Sequence, residues 1–144
     1  MQMADADIKK FPKMAYYVRV NVPDVIKVPS IVRAFEKIGG INKTTLRGAL
    51  TWASGPSIKV TKLVDAFGEF SPGVGSQEIR VDTGVVTEFE AGKGVRVARA
   101  GNVFLLGVTL LHELMHWADD QDGVQRADEE GITFEREVYG KVIV

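Results

Sequence analysis

The stretch from Asn102 to Ala118, NVFLLGVTLLHELMHWA, most limits how this chain can fold. Its apolar residues occupy every side of a helical wheel rather than one stripe. A helix of that kind is stable in water only when other elements surround it. It is broken by His112, Glu113 and His116, so it does not read as a membrane span. The expected element is a central helix, capped by Asn102 and running to about Asp119. A second helix is expected over ADEEGITFEREVY, ended by Gly140.

At 144 residues the chain can enclose such a helix within one domain, residues 1–144. YYVRVNV alternates, which predicts a strand with Tyr16, Val18, Val20 and Val22 on one face, closed by Pro23. PSIVRAFEKIGG predicts a helix capped by Ser30, with Ile31, Ala34, Phe35 and Ile38 as its apolar stripe and Gly39-Gly40 as its end. NKTTLRGALTWASGP predicts another, capped by Asn42, with Leu46, Ala49, Leu50 and Ala53 buried. IKVTKLVDAF suits either a helix or a strand, and SPGVGS is a loop. QEIRVDT, VVTEFEA and GVRVARAG alternate, with Gly84 and AGKG as turns, which predicts a small antiparallel sheet. The expected fold class is α+β: a buried helix and a second helix packed on a small, mostly antiparallel sheet.

The absence of cysteine removes disulfides, thiolate metal sites and thiol nucleophiles together. Residues 1–70 carry 11 Lys/Arg against 6 Asp/Glu, and residues 71–144 carry 7 against 13. Neither half has the dense basic clustering that nucleic-acid binding needs. MQMADADIKKFPK lacks the charged-then-apolar pattern of a secretory signal, so the expected location is the cytoplasm, or a target cell reached by a signal-independent route.

His112 and His116 are the only histidines. Four apart on a helix, they point the same way and can share one ion at about 2.0–2.1 Å. Glu113 lies about 100° round the helix, too far to ligate beside them but able to reach a water on that ion. Two ligands and a general base from one helical turn is the arrangement of zinc peptidases. Two imidazoles and a carboxylate in an apolar helix would be costly to bury without a partner, and a bound dication resolves that cost. With no further histidine, the third ligand of an open zinc site must be a carboxylate. Asp119, Asp120, Asp122, Asp128, Glu129, Glu130, Glu135 and Glu137 are the candidates. Asp120 is better placed as a supporting partner than as a ligand, and the ligand should come from the second helix, packed antiparallel after a turn at Asp122-Gly123. Glu130 and Glu135 differ by about 140° in direction, which predicts that only one of them faces the ion.

HELMHWADDQDG followed by EEGITFE resembles the gluzincin metallopeptidases, members of the wider zincin class. That resemblance implies a zincin-like fold with His112 and His116 as zinc ligands, Glu113 as the base and Glu135 as the third ligand. The family usually has an aspartate four residues after its ligand glutamate; here that residue is Tyr139. The resemblance therefore leaves the support of a zinc histidine to Asp120 or Tyr139. Tyr139 is also a candidate to stabilise the oxyanion, as are Tyr16 and Tyr17. HWADDQDG, EEG, FE and YG are similar to small bacterial metallopeptidase toxin domains of polymorphic toxins and type VI secretion effectors. This second resemblance implies a protein or peptide substrate, a carrier or secretion-system component, and an inhibitory immunity protein as partners. Two competing readings are a non-catalytic metal-binding interaction module and a housekeeping or regulatory cytoplasmic peptidase. An extended substrate is expected to pair with a strand within Gln77–Thr83 or Val85–Glu90.

Overall fold

The structure, a computed structural model, describes residues 1–73, 77–121 and 129–144. The expected turn at Asp122-Gly123, the ligand candidates Asp122 and Asp128, and part of SPGVGS lie outside those residues. Among the described residues the fold is α+β. Its strands are β1 (Gln2–Met3), β2 (Ser57–Thr61), β3 (Gly68–Phe70), β4 (Glu78–Asp82), β5 (Val95–Ala98) and β6 (Gly101–Phe104). Its helices are α1 (Asp5–Lys10), α2 (Pro12–Tyr16), α3 (Pro29–Lys37), α4 (Lys43–Leu50), α5 (Thr83–Glu90), α6 (Leu105–Gln121) and α7 (Glu130–Tyr139).

Helix α6 is central, with Leu106, Leu110, Leu114, Met115 and Ala118 at 1% exposure or less. Each large apolar side chain buried this way contributes about 1.5–3 kcal/mol. This is what holds a helix carrying Glu113 and Asp119 inside the molecule. Asn102 does not cap it. That residue lies in β6, and the helix begins at Leu105 directly after the strand.

The main sheet has the order β1-β2-β4-β3. It is mixed rather than mostly antiparallel: β1 and β4 run parallel to β2, and only β3 runs antiparallel, against β4. In β4, Ile79 and Val81 are buried between half-buried Glu78, Arg80 and Asp82, the expected alternation. VVTEFEA is not a strand but helix α5. Asp82 ends β4 and accepts from Gly84 N at 2.9 Å, a side-chain cap that starts the helix. GVRVARAG does form a strand, β5, but it pairs only with β6 in a separate hairpin.

YYVRVNV is also helical. After α2 the backbone makes a π-helical turn over Tyr17–Asn21 and a 3₁₀ turn over Val22–Lys27. Met14, Val18 and Val22, four apart, are buried, whereas Tyr16 and Val20 are exposed. The helical spacing outweighs the alternation. Helices α3 and α4 bury the expected residues, except that Ala53 lies beyond α4 with φ 66° and is exposed. Asn42 caps α4 through Thr45 N at 2.9 Å. Pro29 opens α3, so Ser30 lies inside the helix rather than capping it. Phe35 on α3 packs on Phe134 on α7 with ring centroids 5.4 Å apart.

Candidate functional site

Helix α6 stacks His112 and His116 on one face, with ring centroids 5.1 Å apart. Helix α7 runs antiparallel across that face, as the carboxylate contacts show. Nδ1 of His112 lies 2.6 Å from Oε1 of Glu135, close enough for the ring N–H to donate. Nδ1 of His116 lies 3.0 Å from Oε2 of Glu130. Both glutamates therefore reach the histidine pair, each on its own ring. At about 1.5 Å per residue, four residues of α6 and five of α7 cover similar lengths, so each carboxylate meets its own imidazole.

Gly131 makes this approach possible. A Cβ there would fall against the imidazole atoms Nε2 and Cδ2 of His112. Gly68 does the same for β3, where a Cβ would meet Glu113 Cγ at 2.8 Å and Thr109 Cγ2 at 2.7 Å. Strand β3 is thus laid against α6 beside Glu113.

Two adjoining cavities share Gly68, His112 and Glu113. One, about 410 Å³, is lined also by Glu69, Phe70, His116, Asp119, Asp120 and Glu130. The other, about 250 Å³, is more apolar, with Leu105, Val108, Ile132 and Ile143 beside Glu135. Glu113, Asp119, Glu130 and Glu135 are buried. Glu137 is exposed and pairs with Lys37 at 3.1 Å, and Glu129 is exposed at the start of α7.

Burial pushes the Glu113 carboxyl up to about 7, with His112 pulling it part of the way back. Burial also disfavours a charged His112, but the hydrogen bond to Glu135 and the fields of Glu113 and Glu135 outweigh it and raise its pKa. For His116, burial and the neighbouring His112 win over Glu130, and its pKa falls.

Tyr139 is not brought into either cavity. It is buried edge-to-face on Phe134 and lines a separate cavity with Val28, Ile31 and Val138. Tyr17 packs between Phe89 and Phe104, and Tyr16 is exposed. Strand β4 is paired on both sides and residues 83–90 are helical, so neither expected segment offers a free edge. The edge beside the cavities is β3. Sequence reasoning missed β3, the pairing of Glu130 with His116, and Ile143. Only Glu130 had a signal, its place among the carboxylate candidates.

The donor set suits a divalent cation. Two imidazoles and four buried carboxylates, Glu113, Asp119, Glu130 and Glu135, lie along one pair of cavities, and among the described residues no lysine or arginine is buried to balance them. As they stand His112 pairs with Glu135 and His116 with Glu130, and no three such groups converge on one point among the described residues. No described helix is long and apolar enough to cross a membrane. A protein-family model described as metallopeptidase toxin 3 matches residues 7–140. No curated protein and no solved structure matches the chain.

Proposed function

The chain belongs to the metallopeptidase toxin 3 family, and from that premise we propose that it is a zinc-dependent peptidase of zincin, gluzincin-like type that acts as a toxin on proteins of a target cell. The observation that carries this reading is the buried acid excess around the histidine pair. His112, His116 and Glu135 would hold the ion. Glu130, against His116, would orient that ring, the role usually taken by a carboxylate behind a ligand histidine. When bound, the cation would polarise the scissile carbonyl and lower the pKa of a water beside it.

Glu113 is the base. It is buried beside the cavity, one residue from His112, and in the metal-free protein burial raises its pKa, which makes its carboxylate a stronger proton acceptor. It removes the proton of the attacking water and returns it to the leaving amine. The edge of β3 would pair with an extended substrate backbone. Gly68 keeps that strand close enough to bring the backbone over Glu113. The presence of Glu113 favours an enzyme over a non-catalytic metal-binding module.

Elemental analysis and peptide hydrolysis test the reading together. The wild type should bind about one zinc, the minimum for a site with three protein ligands and one open position. His112→Ala, His116→Ala and Glu135→Ala should each lose stoichiometric zinc, and Glu130→Ala should lose less affinity than Glu135→Ala. Glu113→Gln should keep the zinc and lose nearly all hydrolysis. Full zinc retention by His116→Ala would sink the site, and an active Glu113→Gln protein would sink the mechanism.

A further inference from the structure

Residues 141–144 take no part in the reading above, yet they close on Glu135. Gly140 adopts the left-handed conformation, φ 83°, which ends α7 and lets the chain fold back along it. Val142, Ile143 and Val144 then line the more apolar cavity beside His112 and Glu113. Ile143 is 4% exposed, and its backbone N–H donates to Oε2 of Glu135 at 2.6 Å. The other oxygen of that carboxylate is the one that meets His112. One residue further on, Nε of Arg96, on β5, donates to the main-chain oxygen of Val144 at 2.9 Å.

A glutamate has three free side-chain torsions. A contact to one oxygen fixes where the carboxylate sits but leaves it free to turn about that oxygen. A second, charge-assisted bond to the other oxygen removes that freedom. We propose that Ile143 is a positioning residue: its backbone N–H holds Glu135 so that Oε1 is presented to His112 and to the cation site, with Arg96 anchoring the segment beyond it. This rests on the reading of Glu135 as a metal ligand.

The test is competitive zinc titration against a chromophoric chelator, with the visible spectrum of the cobalt(II)-loaded protein as a second readout. Ile143→Pro removes the N–H and keeps an apolar side chain, whereas Ile143→Val keeps the N–H. Ile143→Pro should weaken zinc by roughly 10–100-fold and alter the cobalt spectrum, and Ile143→Val should weaken it far less. Equal losses in the two variants, or wild-type affinity and spectrum in Ile143→Pro, would overturn the proposal. If Ile143→Pro does not fold, amide exchange at Ile143 in the metal-free wild type and in Glu135→Ala decides instead. Slow exchange that becomes fast in Glu135→Ala supports the bond, and equal exchange in both overturns it. Full zinc affinity in Glu135→Ala would overturn the ligand reading and this inference with it. Failure of the tail alone is distinguishable, because Glu135→Ala then loses zinc while Ile143→Pro keeps it.

Discussion

At the scale of single residues, glycine substitutions separate function from stability in opposite directions. A methyl group on Gly131 has no space, because the His112 ring fills it and a ring cannot retract as the end of a flexible chain can. Gly131→Ala must shift α7 or turn the imidazole off Glu135. Overpacking of this kind costs about 1–3 kcal/mol, and zinc affinity should fall with it. Gly48 is the contrast: it lies within α4, is exposed, and a Cβ there meets nothing within 4 Å. Gly48→Ala should stabilise the fold by about 0.5–1 kcal/mol. Urea unfolding of both variants, with zinc titration of the first, checks the pair. A Gly131→Ala protein as stable and zinc-competent as the wild type would mean that α7 does not approach α6 this closely.

At the scale of elements, legibility follows from how long and how strongly patterned each segment is. Helix α6 is readable because its apolar residues exceed one stripe over seventeen residues. The end of helix α7 is readable from Gly140, which takes the left-handed conformation there. The shorter segments mislead, and for physical reasons. YYVRVNV satisfies a two-residue period and a four-residue period at once, and burial of Met14, Val18 and Val22 decides for the second. VVTEFEA likewise alternates, but Asp82 before it supplies a cap. That His112 and His116 share one face is legible because both lie on one long helix; the approach of Glu135 and Glu130 to them, the β3 edge and the Ile143 contact depend on tertiary packing that no local pattern records. Asp82 gives the prediction at this scale. Its Oδ2 caps α5 through Gly84 N, and its Oδ1 accepts from Leu63 N at 2.9 Å. Asn42 makes one capping bond. Asn42→Ala should cost about 1 kcal/mol, and Asp82→Ala should cost more because two backbone donors lose their acceptor. Thermal unfolding of the two variants compares them, and equal costs would mean that the Leu63 bond adds nothing.

For the whole molecule, two tyrosines report on global packing. Burial raises the pKa of Tyr17 and of Tyr139 above the ordinary value of 10.0. The unfolded chain gives up these protons near that value while the folded chain still holds them, so stability is full below about pH 10 and falls as pH rises beyond it. Tyrosinate absorbance should show both residues ionising with unfolding rather than before it, and early ionisation of either would contradict its buried packing. The biological role is also a property of the whole chain. A housekeeping peptidase and a toxin would share Glu113, His112, His116 and Glu135, so catalysis alone cannot separate them. Harm to a susceptible cell can. Produced in the cytoplasm of a susceptible bacterium, or directed to its periplasm, the wild-type chain should slow growth in at least one compartment. Glu113→Gln should relieve that effect at equal protein levels, because it removes the proton acceptor and leaves shape and hydrogen-bonding capacity nearly intact. Normal growth in both compartments, with hydrolysis confirmed in extracts, would remove the toxin role and leave the peptidase standing.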